Sequence, residues 1–370
     1  MKMLKKAFVS ILKRRWFLIG IVVALSLIIF GSDVFKVEAR NSGSHKLPVK
    51  AVVVTMFEVG NDVGDSPGEF QYWVEREKLD KVYALPTAYH GVRTNGKGFI
   101  GIVTGEGTAR AATSIMALGL DPRFDLSKAY WLVAGIAGID PNDGSLGSAA
   151  WAKWTVDGDL AYEIDAREIP SDWPYGYYAF GTTRPNQTPP PSDSQVYQLN
   201  SNLVDWAYQL TKDVKLDDSS QLADYRAIYT DFPNAQKPPF VLLGDNMASS
   251  TFWHGDLLNG WANDWLKLWT NGAANFVTTA EEDTGTLRAL TNLAQTGLVD
   301  LNRVMILRTA SNYSMQGTGQ TAAQSLNHET GPNSYSGFLP SLEAAYKVGS
   351  TVIHEIVDNW EKYEDTVPGA

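Results

Sequence analysis

Cysteine is absent from the 370 residues. Its absence excludes a disulfide framework, a zinc–thiolate site and a thiol nucleophile. Positive charge is scarce: 31 Lys and Arg stand against 41 Asp and Glu, a net charge of −10. A nucleic-acid partner calls for a basic face, so none is expected. The five His residues fall at no metal-ligand spacing, and neither a metal nor an organic cofactor is expected. Gly-x-Ser-x-Gly is missing and no Ser-His-Asp order stands out, so no serine triad can be argued. No internal repeat is visible. Long apolar runs are also missing, with one exception at the N-terminus.

There, Lys2, Lys5, Lys6, Lys13, Arg14 and Arg15 precede an uninterrupted apolar stretch from Trp16 to Gly31. A basic segment followed by an apolar one is a signal peptide or a single N-terminal anchor. The stretch falls short of the roughly 20 residues that span a bilayer, which favours a signal. Val37-Glu-Ala39 offers small residues for cleavage before Arg40, although far from the apolar run. Both alternatives place the chain outside the cytoplasmic membrane: periplasmic, extracellular or anchored to its outer face. Residues 1–39 form this segment, residues 40–48 a polar linker, and residues 49–370 one domain.

What is present in that domain is a recurring unit of apolar strand, Gly-rich turn and helix. Lys50–Phe57, Phe99–Thr104, Ala129–Ala134, Leu146–Asp157, a strand starting at Val241, Phe276–Thr279 and Arg303–Thr309 read as buried strands from their β-branched and apolar runs. Glu69–Leu79, the small-residue stretch after Gly107, Gln195–Lys212, Trp253–Trp269, Thr284–Leu298 and Leu339–Tyr363 read as helices. The pattern predicts an α/β fold with a mixed, mostly parallel sheet. In such sheets ligands sit beyond the C-terminal strand ends. The turns at Glu58–Gly68, Gly105–Thr108, Gly135–Gly138 and Thr279–Thr284 then converge. Trp173–Ser194, with its prolines and tyrosines, reads as an excursion, either a lid or an oligomer contact. The tryptophans of 253–269 read as core or interface.

One stretch stands out. Phe276–Thr279 is followed at once by Glu281, Glu282 and Asp283, and a helix opens there. Helix N-termini favour acids through the dipole, so an acidic first turn is the plain alternative to a functional role.

Taken in order, Gly105-Glu-Gly107, Ala134-Gly-Ile-Ala-Gly138, Gly244-Asp245, the acidic strand end and Arg308-Thr-Ala-Ser-Asn312 resemble the nucleoside phosphorylases and nucleosidases. With Met56-Phe-Glu58 and Pro67-Gly-Glu-Phe70, the nearest resemblance is to the purine nucleoside permease family. It covers residues 49–360 and implies a three-layer αβα, nucleoside phosphorylase-like fold that binds a purine nucleoside. It also implies a homo-oligomer whose site is completed by a neighbouring subunit.

The resemblance assigns residues. Glu282 matches the glutamate that binds the ribose hydroxyls; an ionised carboxylate accepts from two adjacent hydroxyls and stabilises an oxocarbenium-like transition state. Glu281 replaces the family's Met, which leaves the register open by one residue. Asn312 stands where bacterial nucleosidases carry the Asp that protonates the purine; it can hydrogen-bond the base but donates no proton in that way. This tilts the expectation towards 6-oxopurine nucleosides. Asn246 and Met247 fall where the family wraps the base, a core Met being the alternative. Gly135 and Gly138 match a turn approaching base or sugar.

For a phosphate ligand, Thr108 and Arg110 are the candidates, but the first loop carries Glu58, Asp62 and Asp65 and no Arg. Those acids repel phosphate, so water is the expected nucleophile, with Glu58 or Asp62 as general base. His90 and His254 are further side chains able to reach a sugar. The expected function is therefore N-glycosidic cleavage of purine nucleosides, by hydrolysis before phosphorolysis. The alternative is a non-catalytic envelope receptor that takes part in nucleoside transport. A lone apolar segment cannot itself form a transport pathway.

Overall fold

The computed structural model describes residues 46–330 and 337–369. The segment expected to be a signal or anchor, and most of the expected linker, lie outside the described residues. Among the described residues, no helix is long and apolar enough to cross a membrane.

The β-branched run Ala51–Thr55 (β1) is buried at every position. A strand buried on both faces must be covered on both, which places it in the middle of a layered sheet. β1 is joined by Lys81–Tyr83 (β2), Val92–Thr94 (β3), Phe99–Val103 (β4), Tyr130–Ile139 (β5), Ala149–Ala152 (β6), Trp154–Asp157 (β7), Val196–Gln198 (β8), Val241–Leu243 (β9), Asp245–Ala248 (β10), Phe276–Ala280 (β11) and Val304–Tyr313 (β12). The main path runs β8-β7-β10-β11-β5-β1-β4-β3-β2, with β12 beside β5 and β6, and β9 beside β6. The pairs β12–β5, β5–β1 and β1–β4 at the centre are parallel. Antiparallel pairs close both edges and join β11 to β5. The sheet is thus mixed, as the sequence predicts.

Helices cover the sheet. Phe338–Asp358 (here α8) packs on β12, β5 and β1, and meets Gln71–Arg76 (α1) and Ser201–Thr211 (α3). Thr108–Gly119 (α2) and Asp283–Ala294 (α6) pack on each other, and Asp256–Trp269 (α5) packs on β11 and β7. Ser220–Arg226 (α4) and Ala322–Thr330 (α7) complete the set used below. The main core lies between β1, β4, β5, β12 and α8. The α5 tryptophans Trp261 and Trp265 belong to a second, aromatic core with Met247 and Phe276.

Several boundaries differ from the periodicity, each with a local cause. The Leu146–Asp157 strand is two strands, because the Asp245 carboxylate takes the Lys153 and Trp154 N–H groups at 3.0 and 2.8 Å and interrupts the ladder. The helix expected from Gln195 begins at Ser201, where Asn200 caps it by accepting from Asn202 and Leu203 N–H. Residues 196–198 instead pair with β7. The Gly135–Gly138 turn is no turn: β5 and β12 pair continuously past it, from Trp131↔Val304 to Ile139↔Tyr313, with one bulge. Trp173–Ser194 is an excursion, and its Tyr177–Ala179 forms a ribbon with Ala161–Glu163.

Candidate functional site

The C-terminal ends of β1, β4, β5, β11 and β12 meet at a cavity of about 510 Å³. Met56, Phe57 and Val59 enter from β1, Glu106 from the turn after β4, and Ile136–Gly138 from β5. Thr279–Glu282 enter from β11, and Arg308, Ser311 and Asn312 from β12. Glu69, Phe252, Glu329 and Phe338 close the wall.

Its floor is a buried charge cluster built around Arg308, which is 1% exposed. Arg308 Nη2 donates to Asp283 Oδ1 at 2.9 Å and to Glu282 Oε2 at 3.1 Å, while Nε reaches Asp283 Oδ2 at 3.1 Å. Nη1 donates to the Ile136 carbonyl at 3.0 Å. Burial works against the guanidinium charge, but Asp283, Glu282 and Glu69 outweigh it and hold Arg308 above its ordinary value. The cluster explains Gly135. A Cβ there would lie 1.9 Å from Met56 Cε, 2.5 Å from Glu69 Oε1 and 2.8 Å from Arg308 Nη1. The glycine lets the charged groups close against β5.

The carboxyls around the floor are not alike. Glu282, 4% exposed, is held by Arg308 and by the Gly107 N–H at 3.3 Å; burial raises it, with Arg308 opposing. Glu69 accepts the Met56 and Ile136 N–H groups, both at 2.7 Å. Burial pushes Glu69 up to about 8, with Arg308 opposing and Glu282 reinforcing. Glu281 projects into the cavity half-buried, and burial followed by Glu282 and Glu106 pushes it up to about 7.

The other end combines an aromatic face with Ser311, Asn312 and Glu329. Phe57 and Phe338 stack at 6.1 Å and form one aromatic surface with Met56 and Val59. Asn312 Oδ1 accepts from Ser311 Oγ at 2.9 Å, and Nδ2 donates to the Tyr313 carbonyl at 3.1 Å and to Glu329 Oε2 at 3.5 Å. Gly138 lies against this side, where a Cβ would meet Thr279 Cγ2 at 2.9 Å and Asn312 Nδ2 at 3.3 Å. Among the described residues no group of three or more His, Asp or Glu side chains is arranged to hold a metal ion.

Of the residues singled out in the sequence, Glu281, Glu282, Gly138 and Asn312 line the cavity, and Gly135 lies directly behind its floor. The others are elsewhere. Glu58 closes its own loop: its carboxylate takes the N–H groups of Val59, Gly68, Phe70 and Gln71. Asp62 is paired with Arg93 and, at 3.1 Å, with His90. Burial works to raise Asp62, but those two partners hold it below its ordinary value. Neither Glu58 nor Asp62 is a free base at the cavity. Asn246 is fully buried, donating to Asp283 at 2.7 Å and accepting from Thr278 at 3.1 Å. Met247 is a core residue beside the tryptophans, so neither wraps a ligand. Thr108 pairs with Ser250 at 2.8 Å, and the exposed Arg110 lies over the Tyr89 ring. Neither lines the cavity as a phosphate site would require.

Four titratable lining residues carried no assigned role in the sequence: Glu69, Glu106 (within Gly105-Glu-Gly107), Arg308 and Glu329. Glu69 and Arg308 stand inside the short motifs Pro67-Gly-Glu-Phe70 and Arg308-Thr-Ala-Ser-Asn312, the signal by which they can be found. Glu329 lies in no such motif.

Compared with known proteins, residues 48–368 match the purine nucleoside permease family. A purine nucleoside permease of Candida albicans is 35% identical over 318 residues, covering 85% of this chain and 76% of that protein. A probable purine nucleoside permease of Schizosaccharomyces pombe is 33% identical over 330 residues, covering 84% and 90%. Among solved structures, the 5′-methylthioadenosine/S-adenosylhomocysteine nucleosidase of Neisseria meningitidis is similar at a TM-score of 0.49 and 15% identity, covering 84% of this chain and 99% of that one. The futalosine hydrolase of Helicobacter pylori is similar at 0.48 and 13%, covering 83% and 98%.

Proposed function

The chain belongs to the purine nucleoside permease family, and from that premise we propose that it binds a purine nucleoside in this cavity and cleaves the N-glycosidic bond with water. The observation that carries the reading is the polarity of the cavity. A carboxylate fixed by a buried arginine stands at one end, and an aromatic wall with Asn312 and Glu329 beside it stands at the other.

In this reading the ribose hydroxyls donate to Glu282. Arg308 and the Gly107 N–H hold that carboxylate in place, so little reorganisation is needed as positive charge develops on the sugar. The purine lies on the Phe57–Phe338 surface, with Asn312 hydrogen-bonding its edge. Beside Glu282, burial raises Glu69 and Glu281 towards neutrality, and a base tuned near working pH is suited to take a proton from an attacking water. The lining holds five carboxyl groups, those of Glu69, Glu106, Glu281, Glu282 and Glu329, and one guanidinium that is already paired. Among the described residues the lining offers a phosphate dianion no unpaired cation, which favours hydrolysis over phosphorolysis. The basic and apolar N-terminus supports an exported location for this activity.

The test is to incubate the purified protein with inosine, guanosine and adenosine, with and without phosphate, and to separate the free base. Base release without phosphate is expected, and Glu282→Gln is expected to lose roughly 10²–10³-fold in kcat, the range for removing one preorganised electrostatic stabiliser. Release that requires phosphate overturns the hydrolytic reading. A second reading, a nucleoside receptor, is favoured by Asn312 standing in place of an acid. Saturable binding without release under any condition establishes it.

A further inference from the structure

Asn312 raises a question about the reaction. A purine leaves a sugar far more easily once its N7 is protonated, yet an amide in this position supplies no proton. The cavity wall contains another group that does. Glu329 lies in the last turn of α7, 5% exposed, and lines the cavity beside Asn312. Its Oε2 is 3.5 Å from Asn312 Nδ2, and its Oε1 accepts from Tyr225 Oη at 3.2 Å.

The groups facing Glu329 from each packed element leave it without a close cation among the described residues. α4 contributes Tyr225, the turn after it Tyr229, β12 contributes Asn312 and Tyr313, and the segment before α5 contributes His254. His328 is stacked on Tyr225. His254 Nδ1 is 3.4 Å from Glu329 Oε2, but burial holds that imidazole down to about 4, so at neutral pH it carries no charge. Arg226 is paired with Asp218. A carboxylate here would also face the negative end of the α7 dipole. Burial pushes Glu329 up to about 8, against the hydrogen bonds from Tyr225, the Tyr313 backbone and Asn312.

We propose that Glu329 is the proton donor to the departing purine, with Asn312 positioning the base edge against it. The proposal rests on the nucleoside-cleaving reading above. As the C1′–N9 bond breaks, its electron pair enters the purine ring and N7 takes the Glu329 proton. The base leaves neutral and Glu329 is left as a carboxylate. Water oxygen bonds to C1′, and the proton it loses goes to a carboxylate on the Glu69–Glu281 side. Solvent exchange then restores both groups.

The test compares inosine with 7-methylinosine, whose ring already carries the positive charge that protonation would supply. Wild-type protein is expected to release base from both. Glu329→Gln is expected to lose roughly 10²–10⁴-fold on inosine, the usual worth of a general acid, while changing less than about threefold on 7-methylinosine. Retained turnover of the methylated substrate also shows that the variant is folded. Unchanged inosine turnover in Glu329→Gln overturns the proposal.

If Glu329→Gln loses both substrates, Tyr225→Phe decides. It keeps the carboxyl but removes a hydrogen bond that favours its anion, so Glu329 stays protonated to higher pH. The basic limb of kcat/KM for inosine is expected to move upward, with that for 7-methylinosine unmoved. No movement overturns the proposal. Wild-type protein that binds inosine but releases base from neither substrate refutes the cleaving reading itself, and the donor with it.

Discussion

Replacing Arg308 by Met removes the cation that holds the cavity floor together. Its guanidinium reaches Glu282 at 3.1 Å and Asp283 at 2.9 Å, with all three side chains nearly or wholly buried. Breaking a buried pair from one side costs about 3–5 kcal/mol, because the stranded charge has no water to turn to. The stranded group limits the loss by binding a proton. For Glu282, with an ordinary value of 4.5, carrying that proton at pH 7 costs about 3.4 kcal/mol, at 1.36 kcal/mol per tenfold step. The two routes agree, and about 3–4 kcal/mol is a large part of a domain's 5–15 kcal/mol.

The sign with pH follows. In the variant the carboxylate is raised above its unfolded value, so the folded state holds the extra proton and loses stability as pH rises. Between pH 5.5 and 7.5 the deficit against wild type should grow by up to about 2.7 kcal/mol for one such carboxyl. Urea unfolding of both proteins at the two pH values measures it. Arg308→Lys keeps the charge without the fork and should lose less. A deficit below about 1 kcal/mol, or one that does not change with pH, would refute the view that Arg308 neutralises buried carboxylates.

Two further outcomes follow. If Glu281, raised to about 7, takes the proton of the attacking water, kcat/KM for inosine rises with pH through about 7; Glu281→Gln removes that limb, and its survival in the variant transfers the role to Glu69. Asp62→Asn should leave base release within about twofold of wild type, because Asp62 faces Arg93 and His90 away from the cavity, and lower Tm by a few degrees for a pair worth about 1 kcal/mol. His90 is raised by Asp62, so this loss should be fullest below about pH 6.5 and shrink as His90 deprotonates at higher pH; a large fall in turnover would return Asp62 to the site.

Much of the architecture is local and was legible as such. Ala51–Thr55 and Phe276–Ala280 announce themselves as strands because β-branched and apolar side chains suit a sheet covered on both faces. Their ends, where Met56 and Glu281 begin, mark the cavity. The errors came where a distant side chain intervened. Asp245 breaks the ladder after Ala152 from more than 90 positions away. Gly135 and Gly138, which read as a turn, are glycines because Met56, Glu69, Arg308 and Asn312 need the space.

The sequence by itself determined the mixed α/β sheet, the strand ends that face the cavity, and the place there of Glu281, Glu282, Gly138 and Asn312. Each lies at a strand end, or immediately after one, in a short recognisable run. Only the tertiary structure decided which carboxyl has which task. Glu58 and Glu69 are eleven positions apart in one acidic loop region; four backbone N–H groups tie up the first, and burial beside Arg308 raises the second. Glu329 gained its place at the cavity from α7, Tyr225 and His254. Residue type and spacing carry no record of desolvation, and desolvation sets whether a carboxyl is a fixed anion, a base or an acid.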